Sequence, residues 1–353
     1  MAGRFSILVL FLTLPLTLFP APSQAAVGRE SVVPCPESRQ PCWPAAFAIS
    51  PDGTTIFYGE RFTGRIVRVD VATGEERLWG RIRGLATDGE QGLLGLAVDP
   101  DWPSARWVYA YYTKASPLSN RVIRARRVDG SLRKQHLATI PAASYHNGGA
   151  IHFGADRRLY VVTGDTGRPG RAQRIGNRAG KVLRMNRDGS APRTNPYEGK
   201  LTFSFGHRNS FGITHDPQTG RLWQTENGPE CNDEVNRIIG GRNFGWGGSS
   251  RCPNTNASGP RPVPPRSLFA SVVAPTGAAF CEGCGLGSAN EGTLLMASWN
   301  DRAIRRLELT SDRKNVVDRQ TIYTNPRGIL GMARGPDGRV YFSDERGIYR
   351  LVP

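Results

Sequence analysis

Three short stretches hold residues suited to chemistry. In "SYHNGGAIHFGADRRLYVVTGD", His146 precedes two glycines where a loop is about to become a strand. It is one of five histidines. A histidine with a structural role would be tucked into the pleat, whereas this one reads as displayed. Imidazole is the side chain that titrates nearest neutral pH, so it suits proton abstraction. In "GHRNSFGITHDP", Arg208 stands beside Asn209. A guanidinium offers a fixed fork of donors to a carboxylate or a growing oxyanion, and a carboxamide both donates and accepts. In "TENGPECNDEVN", Gly228 and Pro229 have no ligating side chains, but calcium takes backbone carbonyls readily. Asp233 and Glu234 lie just beyond as hard anionic groups. The plainer reading is an acidic loop answering the many arginines, since no DxDxDG pattern is present.

These stretches are far apart in the chain, so something must bring them together. Helical periodicity is nearly absent, while short alternating runs and Gly/Pro/Asp turns recur. One unit repeats: an apolar strand, a D/P/G turn, then a second strand. It is seen in "AAFAISPDGTTIFYGE", "GLLGLAVDPDWPSARWVYAYY", "GGAIHFGADRRLYVVTGD", "FGITHDPQTGRLWQTEN" and "GILGMARGPDGRVYFSDE". A further copy, "PTGAAFCEGCGLGSANEGTLLMASWN", carries an insertion at its turn. Spacings of roughly 50 to 60 residues with several strands per unit mark a β-propeller. The expected fold is all-β, a six-bladed β-propeller forming a single domain over residues 26–353. In such a ring the first strand of each blade lies nearest the axis, so the residues just before those strands converge on one mouth. They are Trp43, then Glu90 and Gln91, then His146 and Asn147, then Gly206 to Ser210, then Pro275 and Thr276, and last Arg327. A concave, polar, convergent ring is what a ligand site needs.

The totals bound the setting. Arg4, the apolar run Ile7 to Phe19 and the small residues of "APSQA" read as a signal peptide over residues 1–25. The run is too short to span a bilayer, so the chain is expected to be periplasmic or secreted, and not transmembrane. Formal net charge is +16, and the leader carries only Arg4 of it. The arginines are scattered, with no basic helix or finger to gather them, so nucleic acid is not the expected partner. An anionic cofactor, an acidic polysaccharide or an acidic electron-transfer partner fits better. Six cysteines in an oxidising compartment are expected to pair. Cys35 and Cys42 flank a Pro-rich loop, and the lone CxxC of Cys281 and Cys284 reads as a loop clip in preference to a metal or redox site.

Taken jointly, "HNGG", "GHRNSFG", "ENGPECNDEVN" with "GGRNFGWG", "GLLGLAVDPD" and "GKVLRMNRDGS" resemble the soluble glucose and sorbosone dehydrogenases, from about Trp43 to the C-terminus. The resemblance implies an exported six-bladed propeller that uses pyrroloquinoline quinone (PQQ) and Ca2+ to oxidise aldoses or related polyols and aldehydes. It implies His146 as general base, taking the C1 hydroxyl proton while hydride passes to the quinone. It implies Arg208 and Asn209 on the cofactor, with Arg208 also steadying charge on its oxygens. The carbonyls of Gly228 and Pro229 would hold an active-site calcium acting as a Lewis acid, and Glu234 would serve a second, structural calcium. The family's glutamine before "GLLG" falls on Glu90, and its lysine falls near Asn300, so both are cofactor-side candidates. A sugar substrate and an external electron acceptor such as a cytochrome or quinone are implied as partners.

The chain departs from the pattern in places. Tyr145 stands where the family has an aspartate before its histidine, and the paired arginines before the last inner strand have no counterpart in "NPRGILGMARG". Glucose as the substrate is therefore not implied. Two alternatives remain: a non-catalytic extracellular binding propeller, and a calcium-dependent lactonase, which would centre its metal on side-chain carboxylates and amides.

Overall fold

The computed structural model describes residues 27–353, and the expected signal segment lies outside the described residues. The described chain folds into six four-stranded antiparallel sheets, in five of which the strands pair in chain order. The innermost strands are Ala46–Ile49, Leu93–Val98, Gly148–Phe153, Gly212–His215, Pro275–Cys281 and Gly331–Arg334. Each touches the innermost strand of the next blade, which closes a ring. An axial channel of about 270 Å3 runs between them.

Burial falls from axis to rim, and the sequence of each strand follows. The second strand of blade three, Leu159–Thr163, is buried at every position and is apolar from Leu159 to Val162. The fourth strands, such as Glu76–Arg81 and Val316–Thr324, are mostly exposed and carry the charges. The core lies between blades. Tyr109, Tyr111, Val122, Ile151, Leu159, Val161 and Leu183 form the layer joining blades two and three. Burying each of these contributes about 1.5–3 kcal/mol.

The sixth sheet departs from the repeat. Its fourth strand is Gly28–Pro34 from the other end of the chain, paired antiparallel with Gly347–Val352. The first described strand thus hydrogen-bonds to the last, which ties the two ends of the described chain into one blade and fastens the ring. Three disulfides add local ties: Cys35–Cys42, Cys231–Cys252 and Cys281–Cys284. The CxxC is a loop clip. No described helix is long and apolar enough to cross a membrane.

Candidate active site

The loop before blade three's inner strand sets the geometry. His146 has φ 57°, in the left-handed region where a non-glycine residue is uncommon and backbone strain is concentrated at functional sites. Gly148 follows at φ 65°, where a Cβ would meet the Thr163 Cα at 2.8 Å. Just past the partner strand, a Cβ on Gly164 would fall 2.0 Å from the His146 carbonyl oxygen. The two strands can approach this closely only with glycine at these points. Antiparallel pairing of Gly148 with Thr163 then sets residue 165 across from residue 146. The result is an ion-pairing distance of 2.7 Å between His146 Nδ1 and Asp165 Oδ1.

Asp165 is fully buried and well supplied with donors. Its Oδ2 accepts from Trp246 Nε1 at 2.7 Å, and its Oδ1 accepts from Gly167 N at 2.8 Å. An acceptor-only carboxylate at Nδ1 keeps the proton there and leaves Nε2 with its lone pair. The His146 side chain is 20% exposed, so Nε2 is the nitrogen open to a ligand.

Neighbouring loops lock the same corner. Asn209 Oδ1 accepts from Gly148 N at 3.1 Å, and its Nδ2 donates to Glu90 at 3.1 and 3.2 Å. Glu90 Oε2 also accepts from His146 N at 2.7 Å. Glu90 and Asn209 therefore brace the histidine loop, a use of both side chains that their types did not disclose. Asp165 N donates to Arg208 O at 2.7 Å, which joins blades three and four directly behind the imidazole.

Arg208 is half-buried, with its guanidinium carbon 5.4 Å from the Trp246 ring centroid. Its Nη1 donates to Asn227 O at 3.0 Å, and its Nε is buried with no partner. Burial pushes its pKa down, while Asp165, Glu90, Glu226 and Asp233 pull it back up. Arginine stays charged under such pressure. Beneath it, Glu226 takes the Arg208 amide on one oxygen and His207 Nδ1 at 2.8 Å on the other.

Charge and orphaned acceptors test the fit of a cation here. Four carboxylates act on Arg208, while Arg61 faces Glu90 and Arg171 faces Asp165 as further cations. The corner thus carries surplus negative charge. Gly228 N donates to Asp233 Oδ1 at 2.8 Å, while among the described residues the Gly228 and Pro229 carbonyls accept no hydrogen bond. Burial raises the Asp233 pKa, against the backbone donors that lower it. The Cys231–Cys252 bridge holds this turn, where a Cβ on Gly228 would meet Cys231 O at 1.9 Å. Glu234 lies deeper and is pushed up to about 8, first by burial and then by the charge of Glu226. Beside these two carboxylates, Gln224 Oε1 and Asn236 Oδ1 are buried without a donor. Hard oxygen acceptors that lack partners are what a calcium ion satisfies, so both positions fit one.

The remaining candidates fall at the rim. Asn300 is exposed, follows blade five's second strand, and donates to Val272 O at 3.0 Å, outside the His146 network. Arg327 pairs with Glu345 at 3.3 Å. Trp43 stacks on Trp299 with centroids 5.7 Å apart. Asp165, Trp246 and Glu226 were missed. Strand register alone could have found Asp165, because "VVTGD" pairs back on "HNGG". Trp246 arrives from a loop whose path no local pattern gives.

Comparison with known proteins places the whole described ring in context. Residues 42–351 match the family model described as glucose/sorbosone dehydrogenase. An uncharacterised protein of Synechocystis is 30% identical over 290 residues, covering 74% of this chain and 70% of that protein. Quinoprotein glucose dehydrogenase B of Acinetobacter calcoaceticus is 33% identical over 239 residues, covering 58% of this chain and 50% of that protein. The solved PQQ-bound aldose sugar dehydrogenase of Streptomyces coelicolor superposes with a TM-score of 0.79 at 29% identity, covering 94% of this chain and 99% of that one.

Proposed function

The chain belongs to the glucose/sorbosone dehydrogenase family, and we propose that it is a PQQ- and calcium-dependent sugar dehydrogenase working outside the cytoplasm. The observation that carries this reading is the His146 Nδ1–Asp165 contact of 2.7 Å, set in one mouth with Arg208. Bound PQQ would supply the hydride-accepting quinone, and bound calcium would supply Lewis acidity.

The chain's own residues do the rest. Asp165 holds the proton on Nδ1, so His146 Nε2 takes the proton of the sugar's anomeric hydroxyl. As that proton arrives, the buried carboxylate 2.7 Å away stabilises the imidazolium. The Arg208 guanidinium, with a buried unpartnered Nε, offers donors to an anionic ligand oxygen. Glu90 and Asn209 keep the histidine loop in its strained conformation, so less reorganisation is left to the reaction. The Gly228 and Pro229 carbonyls would hold the active-site calcium, and Glu234 with Glu226 a structural one. Asn300, exposed and placed beside this mouth only by sequence expectation, would join the cofactor-side residues through its carboxamide. Electrons leave to an external acceptor such as a cytochrome or quinone.

Export is supported by the N-terminal apolar run and by three disulfides, which persist in oxidising compartments. The test is to load the purified protein with PQQ and calcium and supply sugars with an electron-accepting dye. Turnover that disappears in His146→Ala, with cofactor still bound, supports the assignment. Tight cofactor binding without turnover on any aldose would point to a binding propeller instead.

A further inference from the structure

The loop after Asp165 carries charge that this chemistry leaves unused. Over residues 164–180 it bears Arg168, Arg171, Arg174 and Arg178. It is built onto the base itself: Thr166 N donates to His146 O at 3.1 Å, and Arg171 Nη1 donates to Thr166 Oγ1. From below, Lys181 Nζ donates to the carbonyls of Arg171, Ala172 and Ala179 at 2.9, 2.8 and 2.7 Å. Arg171 is half-buried, two hydrogen bonds from the histidine backbone. Arg168 and Arg174 flank it, exposed; burial and then their charges lower its pKa, with Asp165 pulling the other way.

The strip continues outward along blade two's last strand. Arg178 and Arg121 both donate to Thr139, to its carbonyl and its hydroxyl respectively. Among the described residues none of these five arginines is in an ion pair. Some arginines elsewhere do find carboxylates, Arg39, Arg184, Arg187 and Arg313 among them; here the unpaired ones begin beside the imidazole. Five guanidiniums without a carboxylate in ion-pair contact, only Arg171 of them feeling the charge of Asp165, lead away from one imidazole and attract anions. Their fork geometry selects carboxylate or sulfate oxygens. At the same rim Tyr145, 61% exposed, adds no negative charge.

We propose that the sugar oxidised here is anionic: the reducing end of a uronic-acid oligosaccharide, its carboxylates held along Arg171, Arg168 and Arg174 while C1 lies at His146. This rests on the dehydrogenase reading above. The reaction would be unchanged, a two-electron oxidation of the C1 hemiacetal to a lactone: the hydroxyl proton goes to His146, the C1–H bond breaks with its hydride going to bound PQQ, and the two electrons then reach the external acceptor as that hydrogen is released as a proton. A small acidic chain is favoured over an acidic protein because the strip starts at the recessed Arg171, which a protein surface would not reach.

The test uses the PQQ- and calcium-loaded protein. Dye-linked kcat/KM is measured for galacturonic acid and its dimer and trimer against the neutral galactose series. Calorimetry measures trimer binding to wild type and to Arg168→Gln/Arg174→Gln, whose removed side chains make no hydrogen bond or ion pair among the described residues. We expect kcat/KM to rise with uronate length and to fall with added salt. The double variant should lose about tenfold in trimer affinity, with galactose turnover unchanged. Equal kcat/KM for neutral and anionic sugars overturns the proposal, as does a variant effect seen only with an acidic protein acceptor. Trimer binding without oxidation of any sugar would leave the anion site standing and remove the dehydrogenase reading. Galactose turnover without trimer binding would do the reverse.

Discussion

Replacing Asp165 by asparagine tests the centre of the argument with one atom changed. The carboxylate accepts from His146 Nδ1, Trp246 Nε1 and Gly167 N, two on one oxygen and one on the other. A carboxamide has only one accepting oxygen, so its NH2 must face either the indole N–H or the imidazole. Facing the indole sets donor against donor. Facing the imidazole makes Nδ1 accept and moves the proton to Nε2, which removes the base. The lost charge matters as well. With the imidazolium and carboxylate charges about 4 Å apart at an effective dielectric near 20, the attraction is worth about 4 kcal/mol. Part of that is recovered by a neutral hydrogen bond of about 1 kcal/mol. The barrier should therefore rise by about 2–4 kcal/mol, and kcat should fall by about 30- to 1,000-fold. Because Asp165 lies behind the imidazole, KM for sugar and PQQ affinity should barely move. Stopped-flow reduction of bound PQQ, with a parallel PQQ titration, separates the two effects. A kcat within threefold of wild type, or a loss confined to KM, would falsify the assignment of Nε2 as base.

Other outcomes follow from the same contacts. Glu90→Ala removes the acceptor for His146 N and Asn209 Nδ2; kcat should drop about tenfold or more as the loop relaxes, and Glu90→Gln should restore part of it. Lys181→Met removes one donor from each of three carbonyls, of which those of Arg171 and Ala172 keep a backbone donor, and should cost about 1–3 kcal/mol in urea unfolding. Burial lowers the Lys181 pKa to about 7 from 10.5, so between those values the unfolded chain holds a proton that the folded one has released. Stability should then rise as pH climbs from about 7 toward 10 in the wild type, and this slope should shrink in Lys181→Met. Cys231→Ser/Cys252→Ser frees the turn under Gly228, and half-saturation by calcium should move to higher concentration while the thermal transition falls.

The sequence alone determined the architecture, because the repeat is local physics. Each strand pair declares itself by alternation and a D/P/G turn, and a half-buried sheet can be satisfied only by stacking on a copy of itself. The repeat is enough to set Glu90, His146, Arg208 and Asn209 at one mouth. Tertiary structure decided the rest, and each case involves groups distant in the chain. Gly28–Pro34 closes the last blade, a pairing set by the ring and absent from the repeated unit. Asp165 needed the register of one hairpin, and Trp246 needed the course of a long loop. Glu90 and Asn209 turned inward to brace backbone, because a side chain's type says what it can bond and only its surroundings say what it does bond.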